Sequence, residues 1–383
     1  MEKVAIIRSQ DYNEERLHRD VRVLLDLLGG VKEFVRPGQR VLLKVNLLMG
    51  KPPEAAVTTA PALVKVITRL VQEAGGRVII GDSPGGPFTV KALKRAYEKS
   101  GLARVAAETG AELNYNTGQE RVPFAGGRYN KSFVLGKFIR EADVIINLPK
   151  LKTHGLTMFT GAVKNLFGAI PGLLKAEYHL KMPRIDLFSQ MLIDLAFCVK
   201  PVLNIMDGII GMEGEGPSGG SPREFGYLLA SPSAVALDVV SALLLGITPL
   251  SKAPVIAAAG ERGLLASTQL EIVGDKLIPY RDVKIPVIEQ KSNLLDQKLP
   301  APVSNLLDKF LRPKPVFNHQ KCLGCGDCNR CCPAGVIKMA KGKPVVVLEN
   351  CIRCFCCQEL CQYQAVEIKR PLLGKLVFGN YYK

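Results

Sequence analysis

The 383-residue sequence contains no tryptophan, only four histidines and 6% aromatic residues. It also has no basic run of five or six residues and no aromatic-interleaved basic strand, so stacking platforms for nucleic acid are scarce and nucleic acid is not an expected partner. Neither a P-loop nor G-x-G-x-x-G occurs, and Gly85-Gly86 alone is a weak phosphate-loop signal. An apolar secretory segment is missing too: Met1-Glu2-Lys3-Val4-Ala5-Ile6-Ile7-Arg8 leads straight into a strand-like run. The most apolar long window, Leu228 to Leu250, carries Asp238 and two prolines near its ends, so it reads as a buried helix and not as a transmembrane segment. These absences point to a cytoplasmic protein. A hydrophobic fraction of 47% in a chain of this length suits two globular domains, one large and one small.

What the chain has in excess is positive charge and clustered cysteine. The net charge of +16 is spread along the sequence. It favours anionic partners: an acidic redox protein, a phosphorylated or carboxylated small molecule, or a membrane surface. Ten of the eleven cysteines lie between Cys322 and Cys361. Without an export signal, such a concentration fits metal-bound thiolates in a reducing compartment better than disulfides, and an anaerobic setting for exposed clusters.

The first cysteine group is Cys322-Leu-Gly-Cys325-Gly-Asp-Cys328-Asn-Arg-Cys331-Cys332-Pro333, or C-x2-C-x2-C-x3-C-P with Cys332 as the fourth ligand. The second, Cys351-Ile-Arg-Cys354-Phe-Cys356-Cys357-Gln-Glu-Leu-Cys361, has the same spacing. A tight loop supplies three thiolates to a 4Fe–4S cubane, and the fourth comes from the other copy. Two 4Fe–4S clusters are therefore expected. One is held by Cys322, Cys325, Cys328 and Cys361, the other by Cys351, Cys354, Cys357 and Cys332, leaving Cys331 and Cys356 as bystanders. A pair of zinc sites is the alternative, disfavoured by eight cysteines in doubled spacing. Over roughly Val316 to Ile368 the residues resemble the bacterial two-cluster ferredoxin family, with Val336-Ile337 and Val366-Glu367-Ile368 as its short paired strands. The sequence departs from that family at Gln362, where a second proline is usual.

The rest of the chain alternates strands and helices. Strand-like runs at Val4–Ile7, Val41–Leu43, Val78–Ile80, Val144–Ile146 and Val202–Ile205 are separated by helical stretches near Glu14–Leu28, Leu63–Ala74, Val90–Ser100 and Ile185–Cys198. Together they predict an α/β fold: a mostly parallel sheet with helices on both faces, followed by a small C-terminal α+β ferredoxin-like domain. A hairpin at Arg121–Phe124 and Lys131–Leu135 and the run Phe225–Ala230 argue against a purely parallel sheet. The expected divisions are an α/β domain over 1–288, a Pro-rich linker over 289–315 around an amphipathic Val303–Leu311, the cluster domain over 316–370 and a tail over 371–383.

Four of the strand-like runs end in polar residues, and open α/β sheets bind ligands at the carboxyl ends of their strands. The expected binding groups are Lys44, Asn46, Asp82, Ser83 and Asn165. The expected catalytic groups are Lys150, Lys152, His154, Lys164, Asp207 and Glu213. Dense lysines beside glycines suit an anion. The glycine-rich stretch around Glu213 and Glu215 reads either as a lid or as a turn-rich connection. The pieces Lys44-Val-Asn46, Gly81-Asp82-Ser83-Pro84-Gly85, Lys150-Leu-Lys152-Thr153-His154, Gly161-Ala-Val-Lys164-Asn165-Leu-Phe-Gly168, and Asp207-Gly208 through Gly216-Pro217 resemble the family catalogued as the domain of unknown function three-six-two, often fused to a ferredoxin module. That resemblance implies a shared fold and site but no established reaction. The functional expectation is an oxidoreductase in which two 4Fe–4S clusters exchange electrons with an anionic small molecule. The alternatives are an electron carrier whose large domain docks a partner enzyme, and a non-redox enzyme with redox-sensing clusters.

Overall fold

The computed structural model describes residues 2–264, 270–286 and 313–371. The large part is built on one ten-stranded sheet. In chain order its strands are β1 (Glu2–Arg8), β2 (Arg40–Val45), β3 (Arg77–Gly81) and β4 (Glu112–Leu113). After a separate hairpin, β5 (Gln119–Pro123) with β6 (Ser132–Gly136), come β7 (Val144–Leu148), β8 (Lys150–His154), β9 (Met158–Thr160), β10 (Leu203–Glu213), β11 (Ser221–Ser231) and β12 (Leu270–Gly274). The order across the sheet is β12-β1-β11-β10-β7-β2-β3-β4, with β8 paired to β10 and β9 to β8. All pairings are parallel except β11 with its two neighbours and β8 with β9. Strand β11 contains the run Phe225–Ala230. A short turn over 214–220 joins it to β10, and only an antiparallel neighbour can be reached that way.

Alternating side chains in the central strands explain why helices cover both faces. Val41, Leu43 and Val45 of β2 enter a core roofed by helices Glu14–Asp26, Pro61–Glu73, Val90–Lys99 and Leu102–Thr109, while Leu42 enters the opposite core beneath helices Ile185–Val199 and Pro254–Glu261. Helix starts follow local chemistry: the Asn13 side chain accepts from Arg16 N, Pro61 opens the second helix, and Thr89 accepts from Ala92 N. The window Leu228–Leu250 is not the single helix expected from its hydropathy. Leu228–Ser231 complete β11, Pro232 interrupts the chain, and the helix Ala234–Leu244 starts after its Ser233 cap. Among the described residues no helix is long and apolar enough to cross a membrane.

The C-terminal module is a duplicated unit. Strands β13 (Lys314–Phe317) and β14 (Ile337–Ala340) flank helix Asp327–Arg330, and β15 (Lys343–Val346) and β16 (Val366–Lys369) flank helix Cys356–Glu359, each element recurring 29 residues later. The halves are interlocked, because β13 pairs with β16 and β14 with β15. Left-handed backbone at Gly324, Gly326 and Gly335 recurs at Arg353, Phe355 and Gln364, so the second loop takes the turns of the first without glycine. Strand β13 begins inside the segment expected as linker (289–315). The rest of that segment up to residue 312, with Val303–Leu311, lies outside the described residues, as does the tail beyond 371.

Candidate functional site

Parallel β2, β3, β7 and β8 bring Asn46, Asp82, Asn147 and Lys150 to one edge of the sheet, and the side chains there are tightly bonded. Lys44 is fully buried, and its Nζ donates to Asp82 Oδ1 at 2.7 Å and Val45 O at 3.1 Å. Asp82 Oδ2 accepts from Leu47 N at 2.7 Å, and Oδ1 also accepts from Ser83 N at 2.8 Å. Burial holds the Lys44 pKa below its ordinary value even though Asp82 opposes the shift. This pair ties the end of β2 to the loop after β3.

A second device is a chain of amides. Lys152 Nζ donates to Asn46 Oδ1 (2.8 Å) and Val57 O (2.8 Å). An ammonium can only donate, so Asn46 presents its oxygen to Lys152 and its nitrogen to Asn165 Oδ1 (2.7 Å). The same orientation passes on, with Asn165 Nδ2 donating to Asn147 Oδ1 (2.8 Å) and Asn147 Nδ2 to Asn204 Oδ1 (2.9 Å). One lysine thereby sets the polarity of a row of amides across β2, β7 and β10. Deeper in the sheet, Lys150 Nζ donates to Asp207 Oδ2 (2.8 Å) and to Tyr12 Oη (2.9 Å), and Tyr12 donates to Asp207 Oδ1 (2.7 Å).

Above this floor is a cavity walled by both parts of the protein. Asn46, Asp82, Ser83, Lys152, Lys164 and Asn165 line it, as expected from the strand ends. Lys150, Asp207 and Glu213 do not, nor do Lys44 and His154. The first two are consumed by their own ion pair, and Glu213 is bonded to Arg223 (2.8 Å) on the hairpin. The glycine-rich stretch reaches the cavity through Pro217. It is the β10–β11 turn, pinned to the C-terminal module by Ser218 Oγ donating to Glu359 O (2.7 Å), Gln358 Nε2 donating to Glu215 O (3.1 Å) and an Arg370–Glu215 ion pair.

Two lining residues were not foreseen, Lys175 and His179, from helix Leu174–Lys181. Lys175 Nζ donates to Ser83 O (2.8 Å), Ser83 Oγ (3.2 Å) and Pro84 O (3.2 Å). The available signal was their spacing of four, which puts both on one helix face. Burial first, then neighbouring Lys164 and Lys150, bring the Lys152 pKa down to about 7. Burial, helped by Lys44 and Lys164 and opposed by Asp82, brings Lys175 to about 7 as well. Neither lysine touches a carboxylate. Lys164 has no carboxylate partner among the described residues, and its Nζ lies 5.8 Å from the Phe167 ring centroid. His179 is stacked on Phe188 at 4.3 Å, and burial keeps it neutral with a pKa near 3.

His154 faces the C-terminal module. Its Nδ1 accepts from Leu156 N (3.0 Å), so the ring proton of the neutral form sits on Nε2, 3.2 Å from Glu359 Oε1. That approach is not aligned for a hydrogen bond, and burial brings the His154 pKa down to about 4. The far wall of the cavity is Cys331, Cys356, Glu359 and Leu360, with the Leu360 side chain against Gly85.

None of the eleven cysteines forms a disulfide. Cys332, Cys351, Cys354 and Cys357 line one hollow in the module. Burial, then the nearby sulfurs of Cys325, Cys361 and Cys322, push the Cys328 thiol up to about 11. Among the described residues no three Cys, His, Asp or Glu side chains converge on a single-ion position. Thiols gathered at these spacings fit iron–sulfur clusters. The geometry defines an α/β protein with a polar cavity closed by an iron–sulfur module.

Comparison with known proteins agrees. The family model described as "Domain of unknown function (DUF362)" matches residues 41–242, and a "4Fe-4S dicluster domain" matches residues 314–362. The chain belongs to the DUF362 family and carries an iron–sulfur domain. It is 41% identical over 273 residues to "Thylakoid-associated protein sll1697" of Synechocystis sp., a match covering 69% of this chain and 80% of that protein. Among solved structures, the lactate racemase apoprotein from Thermoanaerobacterium thermosaccharolyticum aligns with a TM-score of 0.37 at 11% identity, over 61% of this chain and 55% of that one. A Thermotoga maritima protein aligns with a TM-score of 0.35 at 14% identity, over 60% and 57%. These alignments span little more than half of either solved chain and are too distant to carry an argument.

Proposed function

We propose that the protein is an oxidoreductase in which two 4Fe–4S clusters exchange electrons with a small anionic molecule bound in the cavity. The observation that carries this reading is a cavity shared by both parts: Lys152, Lys164 and Lys175 on one side, none with a carboxylate partner, and Cys331 and Cys356 of the module on the other. When bound, the clusters would supply or accept single electrons. The chain's own residues do the rest. Lys152, Lys164 and Lys175 neutralise the anion, Asn46 orients it through the one Nδ2 hydrogen that Asn165 does not take, and Leu360 and Phe167 exclude water from the cavity. Cys332, Cys351, Cys354 and Cys357 hold the cluster next to the cavity, because bystander Cys356 lies between two of them in sequence and lines it. Cys322, Cys325, Cys328 and Cys361 hold the outer cluster. Lys152 and Lys175, each brought to a pKa of about 7, are the proton donors that line the cavity. Ten closely spaced thiols support a reducing compartment such as the cytoplasm.

Anaerobic purification tests the reading. The protein is expected to carry about eight irons and eight sulfides per chain. Mass spectrometry of denatured wild type should reveal a small anion that Lys164→Met has lost. Zinc in place of iron sinks the redox assignment, and a full iron complement with no anion in either protein sinks the substrate site.

A further inference from the structure

We propose that the surface around the Cys322–Cys325 loop is the docking site for an acidic one-electron carrier protein. This rests on the redox reading above and adds to it the port through which electrons enter or leave. The two cysteine groups differ in exposure: Cys357 is buried, whereas Cys325 is exposed. Between Cys322 and Cys325 stands Leu323, 70% exposed, the most exposed large hydrophobic residue among those described. Val345, on the strand that follows the neighbouring turn, and Val347, just past its end, are also exposed.

The charges around Leu323 are mostly positive. Lys321 precedes the loop, and its side chain is 55% exposed. Lys341 is exposed at the tip of the β14–β15 turn, which lies directly against the loop: a Cβ on Gly324 would meet Gly342 O at 2.5 Å. Lys343 Nζ donates to Cys322 O (2.5 Å) and His319 O (3.0 Å), and Arg330 donates to Cys325 O (2.8 Å). The carboxylates within this group are Asp327, paired with Arg330 at 2.6 Å, and Glu367, 3.5 Å from Lys321. Lys341 is paired with neither. An exposed leucine ringed by surplus cations beside a cluster is complementary to a partner with an apolar centre and an acidic rim. The transfer moves one electron: the carrier is oxidised, the outer cluster is reduced by the same electron, and no bond or proton changes place.

The test uses the full chain with its iron in place and, as probe, a reduced plant-type 2Fe–2S ferredoxin, an acidic carrier. Binding is read by calorimetry and electron transfer by stopped flow across a salt series. The double variant Lys321→Glu/Lys341→Glu is expected to bind at least tenfold more weakly, transfer electrons correspondingly more slowly and lose most of the salt dependence, with unchanged iron and sulfide content. Leu323→Ser should weaken binding severalfold while keeping the salt dependence. Unchanged affinity and rate in the charge-reversed protein at full iron content overturn the docking site. So does binding to phosphatidylglycerol vesicles, abolished by the same reversal, with no binding of ferredoxin. Neither result touches the cavity reading, which fails separately if no iron or no anion is found.

Discussion

Lys152 and Lys175 keep their ammonium groups inside the protein with neutral oxygen partners only, and that is why both titrate near pH 7. An anion between them raises both pKa values, so binding takes up protons. Affinity for a small anion is expected to hold below pH 7 and to weaken above it, by up to about tenfold per pH unit for each lysine that must be charged. Calorimetric titration between pH 6 and 9 checks this, and Lys152→Met should flatten the slope. Without ligand the sign also concerns stability. The Lys152 pKa falls from 10.5 unfolded to about 7 folded, so between those values the unfolded chain holds more protons. Stability is expected to decline as pH falls from 10.5 toward 7 and to level off below it, and denaturant melts of wild type and Lys152→Met should show the variant with the shallower dependence. At this scale Asn46, Lys152 and Lys164 were legible because they follow strand-like runs or crowd beside glycines. Lys175 was not, since a lysine in an amphipathic helix looks the same whether its end meets solvent or Ser83.

At the scale of elements, close backbone approach decides what the loops tolerate. A Cβ on Gly168 would sit 2.0 Å from Asp82 Oδ1 and 2.6 Å from Lys44 Nζ, both held in a buried pair. Gly168→Ala is expected to separate that pair and cost roughly 3 kcal/mol, read as a fall in melting temperature. The opposite effect is expected at Gln364, an exposed residue with φ of 50° where the first half of the module has Gly335. Gln364→Gly should stabilise the apo module by about 0.5–1 kcal/mol and leave the iron content alone. The cysteine spacing made the repeat visible in the sequence. The matching left-handed turns were not, because Arg353, Phe355 and Gln364 do not announce the conformation that glycine announces in the first half.

For the whole molecule, the decisive feature is the seating of the iron–sulfur module on the sheet edge. Leu360 packs against Gly85 and into the apolar cluster of Met49, Val57 and Met212, and polar contacts surround it: Ser218 with Glu359 O, Gln358 with Glu215 O, Arg370 with Glu215, and Lys51 Nζ with Gln362 O at 2.6 Å. Placing a charge at the apolar centre of such a contact uncouples the two parts. Leu360→Asp with Ser218→Ala is expected to split a single calorimetric unfolding transition into two while iron stays bound, and to weaken anion binding because one wall of the cavity is lost.

The sequence by itself determined the iron–sulfur chemistry and the layered α/β architecture, since thiolate spacing within a loop and alternation along a strand are local properties. It also placed many polar residues at strand ends, but could not sort them. Only the tertiary structure decided that Lys150 and Asp207 neutralise each other, that the turn around Glu213 is a clasp, and that the cavity takes a wall from each part of the chain. Pairing partners, burial and shared walls depend on segments from 57 to more than a hundred residues apart, and no local pattern records which distant residues will meet.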